Sequence, residues 1–367
     1  MFDSLTATRY IERGNTMNEL LLTDGSKKDY GTYGRGAAKR AFRRVLGGAA
    51  LYLVVSIAVI ILVQAAMMLV FGTNMALSLL SDPVILFSLQ VFAMYIVAFP
   101  IFVLCVRRLP SALRRKGSLS FEEFVVLFFI SEGAMIFGAL ASNLITSFLS
   151  GALGYDITNA TSDLLLGTPI WLVILVAVII GPIIEELIFR KYFIDKLGVF
   201  GDRCAIVVSS VAFGLFHGNL SQLIYATMLG FILGYVYTKT GCVKYTALLH
   251  MVINFVGTVP ALLLSESYDR LSSIAPDAEL NAEESMLMMQ DSMNVLGLTF
   301  LQYAFAITGV ILFIYCTVKR KYRVSSACDI ALPKRRLIPT IIFNVGTVFF
   351  LLISAYQIYT SLLPAVV

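Results

Sequence analysis

Nine stretches of this chain are apolar over 15 to 30 residues and are separated by shorter polar connections, at 45–71, 83–106, 121–150, 169–190, 203–217, 220–238, 243–264, 296–318 and 337–362. A helix rising about 1.5 Å per residue needs about 20 apolar residues to cross a hydrocarbon core. The pattern therefore predicts an all-α polytopic membrane bundle of eight to nine transmembrane helices. The fifth stretch is short and meets the sixth through a tight Gly218-Asn219 connection.

The connections carry charge in alternation. Arg107, Arg108, Arg114, Arg115 and Lys116 follow the second stretch, and Arg190, Lys191, Lys196 and Arg203 lie between the fourth and fifth. Lys239 and Lys244 follow the sixth, and seven Lys and Arg residues from Lys319 to Arg336 separate the eighth from the ninth. The loops between these hold acids, Asp156 and Asp163 in one, and Glu266 to Asp291 against a lone Arg270 in another. Cytoplasmic loops hold the basic excess, so the N-terminus is expected in the cytoplasm and the C-terminus outside. The parse is a basic leader over 1–44, first helices over 45–150, a core over 151–264, an outer acidic loop over 265–295 and last helices over 296–367. The leader's segment 30–36 has three glycines and reads as flexible, with an amphipathic anchor over 37–44 as the alternative; the outer loop reads as merely solvated.

Composition agrees. The chain is 58% hydrophobic and 14% charged with a mean hydropathy of +0.84, against about 25% charged residues in soluble domains. The net charge of +5 is spent in short loops beside the spans, which argues against a nucleic-acid partner. Five cysteines show no CxxC pair and read as reduced packing residues.

Against this apolar background a few polar residues stand out. The only two histidines, His217 and His250, fall in apolar stretches, as do Glu185, Glu186 and Asn254. A charge at the bilayer centre costs roughly 3 kcal/mol on insertion scales, so such groups mark function. Helix rise from the basic loops puts Glu185 about 16 Å, His217 about 20 Å, His250 about 9 Å and Asn254 about 15 Å deep. Three helices can then converge on one buried, watered active site. Helical neighbours project about 100° apart, so Glu185 and Glu186 are expected to address different targets, whereas Glu186 and Arg190 share a face. Glu185 is assigned to chemistry and Glu186 with Arg190 to support, with the reverse left open. Gly181 and Pro182 are expected to loosen this helix a turn before the acids. His250 and Asn254, four apart, present donors on one face, as an oxyanion site requires. Peptide hydrolysis needs a base for water, a proton donor for the leaving amine and donors for the oxyanion. Glu185 aided by His217 supplies the first, and His250 with Asn254 the last.

Glu185-Glu186-x-x-x-Arg190, Phe213-x-x-x-His217 and His250-x-x-x-Asn254, in that order on successive helices, resemble the CPBP family of intramembrane proteases. That family includes type II CAAX prenyl endopeptidases and bacteriocin-processing or immunity proteins. The resemblance covers about 169–264, including Leu229 to Tyr237, whose Gly230-x-x-x-Gly234 spacing signifies close helix packing. It implies a helical membrane fold in which Glu185 and His217 activate water and His250 and Asn254 form the oxyanion site. Members are often called metalloproteases, and Glu185, His217 and His250 are the candidate ligands for Zn²⁺ or another divalent metal. The absence of HExxH spacing favours a metal-free water. Expected partners are the lipid bilayer and a membrane-associated peptide or protein substrate; the lean loops suggest a prokaryotic chain, hence a plasma membrane. A proton-coupled transporter and a non-catalytic immunity or scaffold protein are the alternatives.

Overall fold

The computed structural model describes residues 30–112, 114, 116–157, 160–274, 281–324 and 332–363. Thirteen helices run through them: α1 (Tyr30–Phe71), α2 (Thr73–Leu80), α3 (Pro83–Val106), α4 (Phe121–Leu153), α5 (Ala160–Leu166), α6 (Ile170–Phe200), α7 (Asp202–Phe216), α8 (Leu220–Thr240), α9 (Val243–Leu263), α10 (Ser265–Ser273), α11 (Ala282–Val318), α12 (Lys334–Ile342) and α13 (Val345–Ser361). Seven are long and apolar enough to cross a membrane. The bent pair α12 and α13, angled at 51°, makes an eighth if it is one span. The protein is an integral, multi-pass membrane bundle, and side chains such as Leu69, 88% exposed, and Phe300, 77% exposed, face the apolar solvent such a bundle requires.

Local chemistry sets the helix ends. Ser120 and Glu123 form a reciprocal capping box at the start of α4, and Asn281 and Glu284 form another at α11. Asp82 caps α3, its carboxylate accepting from the Val84 and Ile85 N–H groups ahead of a proline at the first helical position. Inside α3 and α6 the backbone widens into π-helical turns at Phe92–Ala98 and Ile174–Ile180, each just before a proline, Pro100 or Pro182. Proline has no N–H to give, so the α-helical ladder must shift there. A second π segment, Leu187–Ile194, follows the acidic pair.

Packing then assembles the bundle. α4 lies along α8 and α11, α7 pairs with α8, and α13 lies along α1. Gly133 of α4 faces Gly309 of α11 at a crossing where a Cβ on Gly309 would run into the Phe129 carbonyl, the small-residue contact expected without a hydrophobic driving force between helices. Gly230 lies against Ser210 of α7 and Gly234 against Ile206, so the GxxxG spacing does serve close packing. The apolar core runs from Phe42 through Phe102 and Phe189 to Phe213 and Tyr237, joining α1, α3, α6, α7 and α8.

Three features depart from expectation. The fifth apolar stretch is α7, of 15 residues, about 22 Å long and too short for a comfortable span. The chain reverses at Gly218, whose φ of 65° suits a glycine turn, and α8 packs back along α7. α1 begins at Tyr30, so the segment read as flexible is helical, and Ala38, Ala41 and Phe42 are buried; residues 1–29 of the leader lie outside the described residues. The acidic loop over 265–295 is not merely solvated. Asp291, 3% exposed, accepts two hydrogen bonds from Arg270 at 2.7 and 2.9 Å and one from Ser267 at 2.7 Å, clamping α10 onto α11. Cys105, Cys204, Cys242 and Cys316 are free thiols; Cys328 lies outside the described residues.

Candidate active site

A cavity of about 600 Å³ opens among α3 to α9 and α11, and Glu185, His217, His250 and Asn254 all line it. Each arrives by a different local device. Glu185 projects from the regular turn Gly181–Glu186 that separates the two π segments of α6. His217 caps the C-terminus of α7, where its Nδ1 lies 2.8 Å from the Phe213 carbonyl. A carbonyl only accepts, so Nδ1 carries the proton and Nε2 of the neutral ring keeps its lone pair.

Glu186 and Arg190 form the wall behind. Both are fully buried, and Arg190 Nε donates to Glu186 Oε2 at 2.9 Å. Arg190 Nη1 reaches Ser209 Oγ at 3.3 Å, and the guanidinium lies 5.1 Å over the Phe213 ring. The other oxygen of Glu186 faces His250 Nδ1 at 3.2 Å. Both carboxylate oxygens are thereby engaged. Glu185, with 21% of its side chain exposed against none for Glu186, is the acid open to the cavity.

The expectation that neighbouring glutamates must address different targets is corrected here. His250 stands between them, with Nε2 at 3.7 Å from Glu185 Oε2 and Nδ1 on Glu186. An imidazole has nitrogens on opposite edges, so two diverging carboxylates reach one ring. The Glu185 distance is too long for a direct hydrogen bond.

Asn254 is explained by the widened turn of α6. The Gly181 N–H bonds the Val176 carbonyl five residues back, and the next donor in that register is Pro182, which has none. Ala177 O is left without a helical partner, and Asn254 Nδ2 donates to it at 2.9 Å. One amide proton of Asn254 is thus committed to structure and the other remains. His250 and Asn254 share the cavity, Asn254 on the Ala177 carbonyl and His250 beside the two glutamates. The ring of Phe213 stands edge-on to both imidazoles, 4.9 Å from His217 and 5.7 Å from His250, which gives the phenylalanine four before His217 a spacing role.

Glu132, Tyr95, Gln222 and Tyr225 also line the cavity. Sequence reasoning passed over them, although Glu132, the one acid in the interior of its apolar stretch, carried the same signal as Glu185. Among the described residues no three His, Cys, Asp or Glu side chains gather closely enough to hold one ion. Backbone holds His217 Nδ1 and Glu186 holds His250 Nδ1, as the outer partners of metal-bound imidazoles do, but Glu185, His217 and His250 do not draw together into a three-ligand group in this structure.

Residues 167–256 match the family model described as Type II CAAX prenyl endopeptidase Rce1-like. The "Putative membrane peptidase YdiL" of Bacillus subtilis is 28% identical over 176 residues, which cover 44% of this chain and 66% of that protein. The UPF0177 protein YxdF of Lactococcus lactis is 30% identical over 142 residues, covering 37% of this chain and 79% of that protein. No solved structure matches. With a 30% identical relative covered over most of its length, and the Rce1-like match lying on the helices that bring Glu185, His217, His250 and Asn254 to one cavity, the chain belongs to the CPBP family.

Proposed function

We propose that this protein is an intramembrane endopeptidase that hydrolyses a peptide bond in a membrane-associated protein or peptide, with water activated by Glu185 and His217. The observation that carries the reading is the division of labour between the acids: Glu186 is consumed by Arg190 and His250, while Glu185 opens onto the cavity. The Rce1-like match and the peptidase name of the Bacillus relative support the class of reaction. The basic loops are taken to face the cytoplasm.

The chemistry follows from the placement of protons. Glu185 accepts a proton from water as the oxygen attacks the scissile carbonyl, and His217 Nε2 orients the attacking water through its lone pair. The second amide proton of Asn254 and the Nε2 edge of His250 serve the oxyanion. The proton held by Glu185 then passes to the leaving amine, regenerating the carboxylate. Comparison of protein N-termini in membranes carrying the active protein and its Glu185→Gln or His217→Ala variant tests this. New N-termini seen only with the active protein are expected; identical sets sink the proposal.

Two further outcomes are expected. Asn254→Ala should lower kcat/KM by about 10²-fold through loss of one oxyanion donor. It should also cost about 1–3 kcal/mol of stability, because Ala177 O is left bare. Unfolding in mixed micelles beside the rate assay checks both, and an unchanged stability would remove the carbonyl-patching role. Hydrolysis is also expected to persist after incubation with a strong zinc chelator. A rate that collapses with the chelator and returns with Zn²⁺ would replace the metal-free reading.

A further inference from the structure

The cavity holds a second acid that the proposed hydrolysis leaves unused. Glu132 of α4 is 5% exposed, and its Oε1 is buried with no hydrogen-bond partner, yet the residue lines the same space as Glu185. It lies 11 residues from Phe121, about 17 Å along α4 by helix rise. That is the level already estimated for Glu185.

An unpaired carboxylate in such surroundings is costly unless it takes up a proton or a cation meets it. The cavity wall supplies none: among the described residues no Lys or Arg lines it. His217 has Nδ1 on backbone, and His250 is held between Glu185 and Glu186. What the wall does add, on α4 and α11, is further acceptor capacity from Asn143, Thr299 and Gln302, with the apolar Met135 and Ile136 beside Glu132. An ammonium or guanidinium carries three to five donors and no acceptor, on a methylene stem that prefers apolar walls.

We propose that the Glu132 region of the cavity is a substrate subsite for a cationic group, the Lys or Arg side chain of a peptide placed near its scissile bond. The inference rests on the peptidase reading and narrows its substrate class to basic residues within otherwise apolar sequences. It makes Glu132 a specificity residue, distinct from the groups that activate water.

The test uses the full chain in detergent micelles and fluorescent apolar peptides that differ at one scanned position, carrying Lys, norleucine or Glu. Binding is measured to the Glu185→Gln protein, which retains bound peptide, and cleavage to the protein with Glu185 intact. At the favoured position the Lys peptide should bind at least about tenfold tighter than its norleucine counterpart. Glu132→Gln should erase that preference with an unchanged thermal transition, and Glu132→Lys should transfer it to the Glu peptide. Equal binding of Lys and norleucine peptides, a preference that survives Glu132→Gln, or no binding by any peptide overturns the subsite. Cleavage without a Lys preference leaves the peptidase reading and removes only the subsite. A Glu132-dependent preference in binding without cleavage of any peptide keeps the subsite and counts against the peptidase.

Discussion

Replacing Glu185 by glutamine will lower kcat/KM by about 10³-fold, within the 10²–10⁴-fold range for losing a general base, and leave the unfolding transition in place. The same substitution one residue later will behave differently. Glu185 has no hydrogen-bonded structural partner and stands 3.7 Å from His250, so an amide of equal size disturbs nothing but the proton inventory. Glu186 carries the Arg190 ion pair in a fully buried setting, and Glu186→Gln strands a guanidinium at a cost of about 3 kcal/mol. Activity must fall there too, because His250 loses a charged anchor, but it falls together with stability. A rate assay and a denaturant titration on both variants separate the roles. A Glu185→Gln protein that retains its rate, or a Glu186→Gln protein that loses rate alone, would reverse the assignment of the two acids.

The limits of what the sequence made legible follow from the same residues. Hydropathy located the spans because lipid exposure demands apolar side chains. Four polar residues at similar depth were enough to place a cavity between helices, since each is too costly to leave against acyl chains. What stayed hidden was geometry that hydrophobic pattern does not encode. The π turns before Pro100 and Pro182 contain the same kinds of residue as the α-helical turns around them, and the one before Pro182 creates the bare carbonyl that Asn254 meets. The two-sided contact of His250 was missed because projection angles on one helix ignore the shape of the partner ring. Glu132 was missed for another reason: it matches no short motif, and attention went to residues that did.

The buried pair itself gives the second large effect. Arg190→Met removes the cation that Glu186 faces at 2.9 Å and the stack over Phe213 at 5.1 Å, so it should cost about 3–5 kcal/mol. Glu186→Met should cost a similar amount by stranding Arg190. The double variant replaces an ion pair by two apolar side chains of comparable length, and such exchanges are often close to neutral. Its stability should therefore exceed that of either single variant, the two single costs being far from additive. Activity should not return with it. Without Glu186 no carboxylate holds His250 Nδ1, and the ring that faces Glu185 loses its fixed orientation. Denaturant titration in mixed micelles gives the cycle, and the rate assay gives the split. If the double variant recovers both fold and rate, Glu186 and Arg190 serve only to fill the helix packing, and the orientation of His250 must come from elsewhere in the cavity.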